Sequence, residues 1–254
     1  MVDTNDKVVG LLGYPLSHSF SKRYFTDKFA ASESLRHWSF RNFEIPELND
    51  QTLQELLLQT AGLQGFCITI PHKKNILPWL HHTNGAVQAI GACNCVRMHH
   101  GELWGYNTDY IGFRQSFEPL LQHHHQQALV LGTGGAAAAI LYALRQMNIH
   151  YTIVSRTAGE GMLTYNDVTP EVLAAHTILI NTTPLGTYPN VHEVPLLPYE
   201  ALTANHYLFD VVYNPNMTQF LARGEQVGAT IKNGYDMLVL QAEENWRIWQ
   251  SAPA

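Results

Sequence analysis

Residues 128–140 read ALVLGTGGAAAAI, an apolar run that stops at Gly132 and restarts as a string of alanines. Gly132, Gly134 and Ala137 have the spacing G-x-G-x-x-A, the alanine-ended form of a dinucleotide-binding turn between a strand and a helix. The first glycine permits the tight turn and the second lets backbone approach a pyrophosphate. The small residue at 137 lets the helix lie close to the strand, and the helix start offers unpaired N–H groups and a partial positive charge to the anion. The stretch alone also fits a tight strand–helix turn with no ligand.

The next apolar run, 150–154, is expected to be the second strand of the unit and ends in Ser155, Arg156 and Thr157. A site for an unphosphorylated ribose would carry Asp or Glu there. Arg156 instead can pair with a 2′-phosphate and stack on adenine, which favours NADP over NAD; its other reading is a solvated loop arginine. The expected cofactor contacts here are Gly132, Thr133, Gly134, Gly135, Ala136, Ser155, Arg156 and Thr157.

Strands are expected at 127–131, 150–154, 177–181, 206–211 and 228–232, with helices at 109–121 and 236–250 and between several strands. This is the rhythm of a parallel sheet covered on both faces. Ahead of it, strands are expected at 7–13, 38–45 and 65–70, helices at 20–31 and 47–60 (Pro46 in the first turn), and a hairpin from 92–97 and 102–106. The whole reads as α/β.

Hydrophobic residues make up 46% of the 254 and charged residues 14%, so the chain can bury a core. A net charge of -6 and no basic run give no general attraction to nucleic acid or anionic membrane. The longest uncharged apolar stretch is broken by Gly132, Gly134 and Gly135, and is short of the roughly 20 residues of a membrane span. No signal-peptide pattern opens the sequence, and the cysteines are three, Cys67, Cys93 and Cys95, so a cytoplasmic protein is expected. Cys93 and Cys95 alternate as strand residues with both thiols on one face, and are read as core. The histidine groups 81–82, 99–100 and 123–125 lack ligand spacing, so no metal is expected.

Further motifs carry a resemblance. Residues 13–21 read GYPLSHSFS, 65–73 GFCITIPHK, 91–95 GACNC, 107–112 NTDYIG, 181–186 NTTPLG, 210–215 DVVYNP and 234–241 GYDMLVLQ. In this order, with the glycine loop among them, they resemble the shikimate dehydrogenase family from about residue 8 to 245. The resemblance implies an N-terminal α/β substrate-binding domain (1–106) and a Rossmann-like dinucleotide-binding domain (107–235). A C-terminal helix, 236–254, returns to the first domain. It implies NADPH-dependent reduction of 3-dehydroshikimate to shikimate, a step of aromatic amino-acid and chorismate biosynthesis, by a monomer or homodimer.

Carried over position by position, the resemblance makes Lys73 the catalytic lysine and Asp109 its partner. Ser19 and Ser21 become ligands of the substrate carboxylate, and Thr69, Asn94, Tyr213 and Gln241 further substrate contacts. Thr182, Val211 and Gly234 join the cofactor contacts. Ser19 and Ser21 read without the family as helix caps, and Asp109 as a helix-start carboxylate. The chain departs from the family at Lys22, Cys67 and Cys95, at Ala138 and Ala139 where arginine is common, and in a shortened segment after Thr157 that lacks the usual basic residue. Two rivals share these motifs: a quinate/shikimate dehydrogenase using NAD or NADP, and a non-catalytic NADP sensor.

Overall fold

Both α/β units are present in the computed structural model, which describes residues 6–17 and 19–251. Met1–Thr108 with Ala242–Ala254 form one unit and Asp109–Gln241 the other. No helix among the described residues is long and apolar enough to cross a membrane.

The first unit runs β1 (Lys7–Gly13), α1 (Phe20–Ala30), β2 (Trp38–Glu44), α2 (Asp50–Gln59), β3 (Leu63–Ile68), α3 (His72–Asn75), β4 (His82–Thr83), α4 (Gly85–Ile90), β5 (Cys95–His99) and β6 (Glu102–Tyr106). The sheet order is β2-β1-β3-β5-β6-β4, with β1 parallel to β2 and β3, and β5 antiparallel to β3 and β6. Alternation along β1 supplies both faces: Val8 and Leu12 join one core, Val9 and Leu11 the other. The β5–β6 turn places His100 and Gly101 at φ 50 and 82, the positive pair a two-residue hairpin needs.

Three expectations change. Helix α2 starts at Asp50 and not beside Pro46. Asn49 caps it by accepting from Thr52 N at 3.0 Å while Thr52 Oγ1 accepts from Asn49 N, a capping box that outweighs proline's tolerance of a first turn. Strand β5 begins only at Cys95, so Cys93 is not in strand alternation with it. The Cys93 and Cys95 side chains enter opposite cores, and the expected single face is wrong. Helix 109–121 ends at Phe117, followed by a 3-10 turn over Glu118–Leu120, because Pro119 cannot continue the helical hydrogen bonds.

The second unit runs α5 (Asp109–Phe117), β7 (Gln127–Leu131), α6 (Gly135–Gln146), β8 (His150–Ser155), β9 (Met162–Thr164), α7 (Pro170–Ala175), β10 (Ile178–Asn181), β11 (Tyr207–Asp210), α8 (Gln219–Gln226), β12 (Thr230–Asn233) and α9 (Tyr235–Gln250). Its sheet is wholly parallel in the order β12-β11-β10-β7-β8-β9, the doubly wound arrangement. Alternate residues of β7 again divide: Ala128 and Val130 face the core with α6 and α5, Leu129 and Leu131 the core with α7 and α8.

Helix α9 begins in the second unit, and from Ala242 on it belongs to the first. There Trp246 packs edge-on to Trp38 at 4.7 Å between centroids, and against Phe29 at 5.2 Å. Trp249 donates from Nε1 to Val96 O at 3.0 Å. Lys28 and Tyr24 on α1 both donate to Glu243, and this salt bridge and hydrogen bond hold its carboxyl below the ordinary range against the upward push of burial.

Candidate functional site

In the second unit the chain order reverses between β7 and β10, and a groove opens at their C-terminal ends, where doubly wound sheets bind ligands. Its volume is about 700 Å³, within the range of small-molecule sites. Gly132 turns the chain out of β7 at φ 105, and a Cβ there would lie 2.8 Å from Thr182 Oγ1. Thr182 is pinned in turn, donating from N and from Oγ1 to Leu131 O at 2.9 and 2.6 Å. Gly134 is the N-cap of α6 and caps it with no side chain, and beside the Cα atoms of Gly134 and Gly135 there is open space. The helix start therefore presents backbone, not side chains.

Of the expected cofactor residues, Gly132, Thr133, Gly134, Ser155, Arg156, Thr157 and Thr182 line this groove. Gly135 and Ala136 form the adjoining first turn of α6. Val211 and Gly234 do not line it. They lie against each other, Gly234 donating from N to Val212 O at 3.2 Å, and Val211 donates from N to Asn181 O, one residue before Thr182. The groove also takes Tyr165, Thr183 and Pro184, which the sequence reading did not include. Thr183 had a signal in its NTTPLG motif; Tyr165 had none, because strand pairing brings it there.

Asn181 ties the groove wall to a buried carboxylate. Its Oδ1 accepts from Thr183 N and Oγ1 at 3.0 and 2.6 Å, and its Nδ2 donates to Asp210 Oδ1 at 3.0 Å. Burial pushes the Asp210 carboxyl up to about 6, against the lowering effect of donors Thr218 Oγ1, Val212 N and Asn181 Nδ2.

Asp109 opens α5 and is buried. Three residues on, Gly112 lies against α9, where a Cβ would come within 2.9 Å of Gln241 N. The missing side chain lets the two helices meet, with Asp109 and Gln241 at that crossing. Gln241 is also buried and donates from Nε2 to Leu238 O at 2.9 Å. Tyr213 follows β11 and is 39% exposed.

In the first unit Thr69, Lys73 and Asn94 lie at the C-terminal end of β3. Thr69 donates from N to Leu12 O at 2.9 Å and accepts from His72 N at its own carbonyl. The Thr69 methyl fills the space a Cβ at Gly13 would need. Lys73 O accepts from Cys93 N at 2.8 Å, and Asn94 O accepts from Ile68 N at 2.8 Å, so Thr69, Lys73 and Asn94 share one frame of backbone bonds. His72, wholly buried, anchors α3 through Nε2 to Ile45 O at 2.6 Å.

Asn94 is itself fixed: its Oδ1 accepts from Thr108 N at 2.6 Å, and its Nδ2 donates to Thr108 Oγ1 at 3.0 Å. Thr108 Oγ1 continues to Asn245 Oδ1 at 2.6 Å. Thr108 and Asn245 were not foreseen. Ser19 caps α1, accepting from Lys22 N at 3.1 Å, and Ser21 lies in the first turn. The capping reading of Ser19 is therefore correct as far as it goes. Burial, helped by nearby Cys93 and Cys67, raises the Cys95 thiol well above its ordinary range, which keeps it an inert hydrophobe. Among the described residues no three His, Cys, Asp or Glu side chains are grouped to hold a metal ion.

Residues 11–96 match the family described as the shikimate dehydrogenase substrate binding domain. The chain is 30% identical over 269 aligned residues to the shikimate dehydrogenase (NADP(+)) of Methanococcus vannielii, covering 98% of this chain and 93% of that one. It also superposes on a crystal structure of a shikimate dehydrogenase in complex with NADP+, with TM-score 0.86, 28% identity and 99% and 92% of the two chains covered. A shikimate 5-dehydrogenase from Thermus thermophilus, in complex with NADP(H) and shikimate, gives TM-score 0.81 and 27% identity over 98% and 95%.

Proposed function

Because this chain belongs to the shikimate dehydrogenase family, we propose the following roles for its residues in the reversible NADPH-dependent reduction of 3-dehydroshikimate to shikimate. The observation that carries this reading is the groove at the β7–β10 switch point, bounded by a glycine turn, a helix start free of side chains and the exposed cation of Arg156. That donor set fits NADP. Gly132 and Gly134 admit the pyrophosphate to the α6 N–H groups, and Arg156, with the hydroxyls of Ser155 and Thr157, takes the 2′-phosphate. Val211 and Gly234 shape the end of β11 and support the groove from outside it.

Bound there, the nicotinamide supplies the hydride. Negative charge then grows on the substrate carbonyl oxygen, and a proton must reach it. Lys73 delivers that proton in the reduction and removes it in the oxidation. Asp109, Asn94 and Thr69 hold the ring hydroxyls, Ser19 and Ser21 the carboxylate, and Gln241 and Tyr213 further polar edges of the ring. The 1–108 unit supplies Ser19, Ser21, Thr69, Lys73 and Asn94 to the substrate, and the 109–241 unit supplies the cofactor groove together with Asp109, Tyr213 and Gln241. The protein works in the cytoplasm, as a monomer or homodimer, on a small molecule in aromatic amino-acid biosynthesis.

An absorbance assay at the NADPH band, with shikimate and either NADP or NAD, tests the reading. Reduction of NADP well above that of NAD is expected. Equal rates with NAD, and turnover of quinate, would move the chain to the broader quinate/shikimate group. Folded protein that binds NADPH without turnover would make it a sensor.

A further inference from the structure

Parallel strands are ordinarily joined by a dozen or more residues, usually through a helix. Strands β8 and β9 are parallel and are joined by residues 156–161 alone. The register makes this possible: Met162 pairs with Ile153, so the chain climbs back only two residues before pairing resumes. The helix such a crossover would place beside the 2′-phosphate end of the groove is replaced by a short loop, which after Arg156 reads Thr157-Ala-Gly-Glu-Gly161 and holds no further Lys or Arg.

The same register fills that end differently. Ser155 pairs with Thr164, so Tyr165 follows β9 as Arg156 follows β8, and both line the groove. The Tyr165 ring is partly buried against the core of Leu129, Leu131 and Leu173, which fixes its position. The turn that carries it is locked by Thr164, which donates from N and Oγ1 to Asp167 Oδ2 at 2.8 and 2.6 Å. Those bonds occupy the nearest carboxylate within the turn.

Resting on the cofactor reading above, we propose that Tyr165 is a specificity-determining residue of this enzyme, donating its hydroxyl to the 2′-phosphate of the bound dinucleotide alongside Arg156. A phosphate monoester offers three strong acceptor oxygens, each with more than one lone pair, so the planar fork of Arg156 and the hydroxyls of Ser155 and Thr157 leave acceptor positions open to a further donor. Burial raises the Tyr165 phenol above its ordinary range while the nearby Arg156 charge pulls it down; the net upward direction keeps it a neutral donor at physiological pH. The fixed ring needs no reorganisation to offer that donor, which limits the entropy cost of binding.

The test is titration calorimetry of wild type, Tyr165→Phe and Arg156→Ala with adenosine 2′,5′-bisphosphate and adenosine 5′-monophosphate. The Phe variant keeps the ring against its core, and its melting curve checks the fold. Wild type is expected to prefer the bisphosphate, and Tyr165→Phe to lose about tenfold in affinity for it, as befits one hydrogen bond to a charged group. Its affinity for the monophosphate should change less than about twofold. Unchanged bisphosphate affinity in Tyr165→Phe, or equal losses on both ligands, would overturn the assignment while the preference of wild type and its loss in Arg156→Ala leave the cofactor reading standing. A wild type with no preference would overturn both.

Discussion

Lys73 has little slack at its root. It sits on a four-residue helix held by the buried His72 ring on one side and by the Cys93 N–H on the other. In the proton-transfer role proposed for it, a lysine so held would work through position, and its removal should act on turnover and not on substrate affinity. Lys73→Ala is expected to lower kcat by roughly 10²- to 10⁴-fold with KM changed only a few-fold, read by steady-state kinetics with both substrates saturated in turn. Turnover near wild type would remove Lys73 from the proton transfer. At this scale the sequence was legible where a residue acts through its immediate neighbours. Gly132, Gly134 and Arg156 follow directly from a strand, a turn and the next strand. Cys93 escapes this rule because it lies two residues before β5 begins, where strand alternation no longer sets its face. Tyr165 and Asn245 were invisible because they reach their places through strand register and the packing of a distant helix.

Among the elements, the last helix carries a share of stability out of proportion to its length. From Ala242 onward it supplies the aromatic lid over Phe25, Phe29 and Trp38, and two of its side chains bond to backbone or to α1. Trp246→Ala should cost about 3–5 kcal/mol, the usual penalty for emptying a large aromatic site, and denaturant unfolding would measure it. A loss under about 1 kcal/mol would mean that the neighbouring rings close the gap. The helix itself was legible in the sequence, expected at 236–250 and found at Tyr235–Gln250. The sequence did not show the two short strands, β4 and β9, whose two and three residues leave no periodicity to read. Boundaries moved where a local competitor was present, Asn49 at α2 and Pro119 at α5.

Across the whole molecule, two buried groups of the 109–241 unit pull stability in opposite directions with pH. The Asp210 carboxyl is raised to about 6 in the folded protein, so folding favours its protonated form. Its contribution is fully present below the ordinary carboxyl range near pH 4 and is lost as pH rises through about 6. The size is on the order of 3 kcal/mol. His125 is lowered, chiefly by burial and then by nearby His124, His206 and His123, against one backbone acceptor, Asn205 O. Its neutral form is favoured, so its contribution is present above about pH 6.5 and falls away in acid. Melting temperatures of wild type and Asp210→Asn from pH 7 to pH 4 separate the two. Wild type should gain on the variant by several degrees as pH falls, and parallel curves would show that Asp210 is not the titrating group.

The division of the chain at Thr108 and Ala242 also orders its birth. As the polypeptide leaves the ribosome, residues 1–108 emerge with their aromatic face uncovered, and the Trp246 and Trp249 that cover it are about 130 residues away in time. At about 5–20 residues per second that interval is roughly six to thirty seconds. The first unit therefore cannot complete its aromatic core until the residues after Ala242 arrive, although its own strands were made first. A released chain ending at Gln241 should lose residues 1–108 to limited proteolysis while 109–241 resists; a resistant 1–108 segment would show that it folds without its lid.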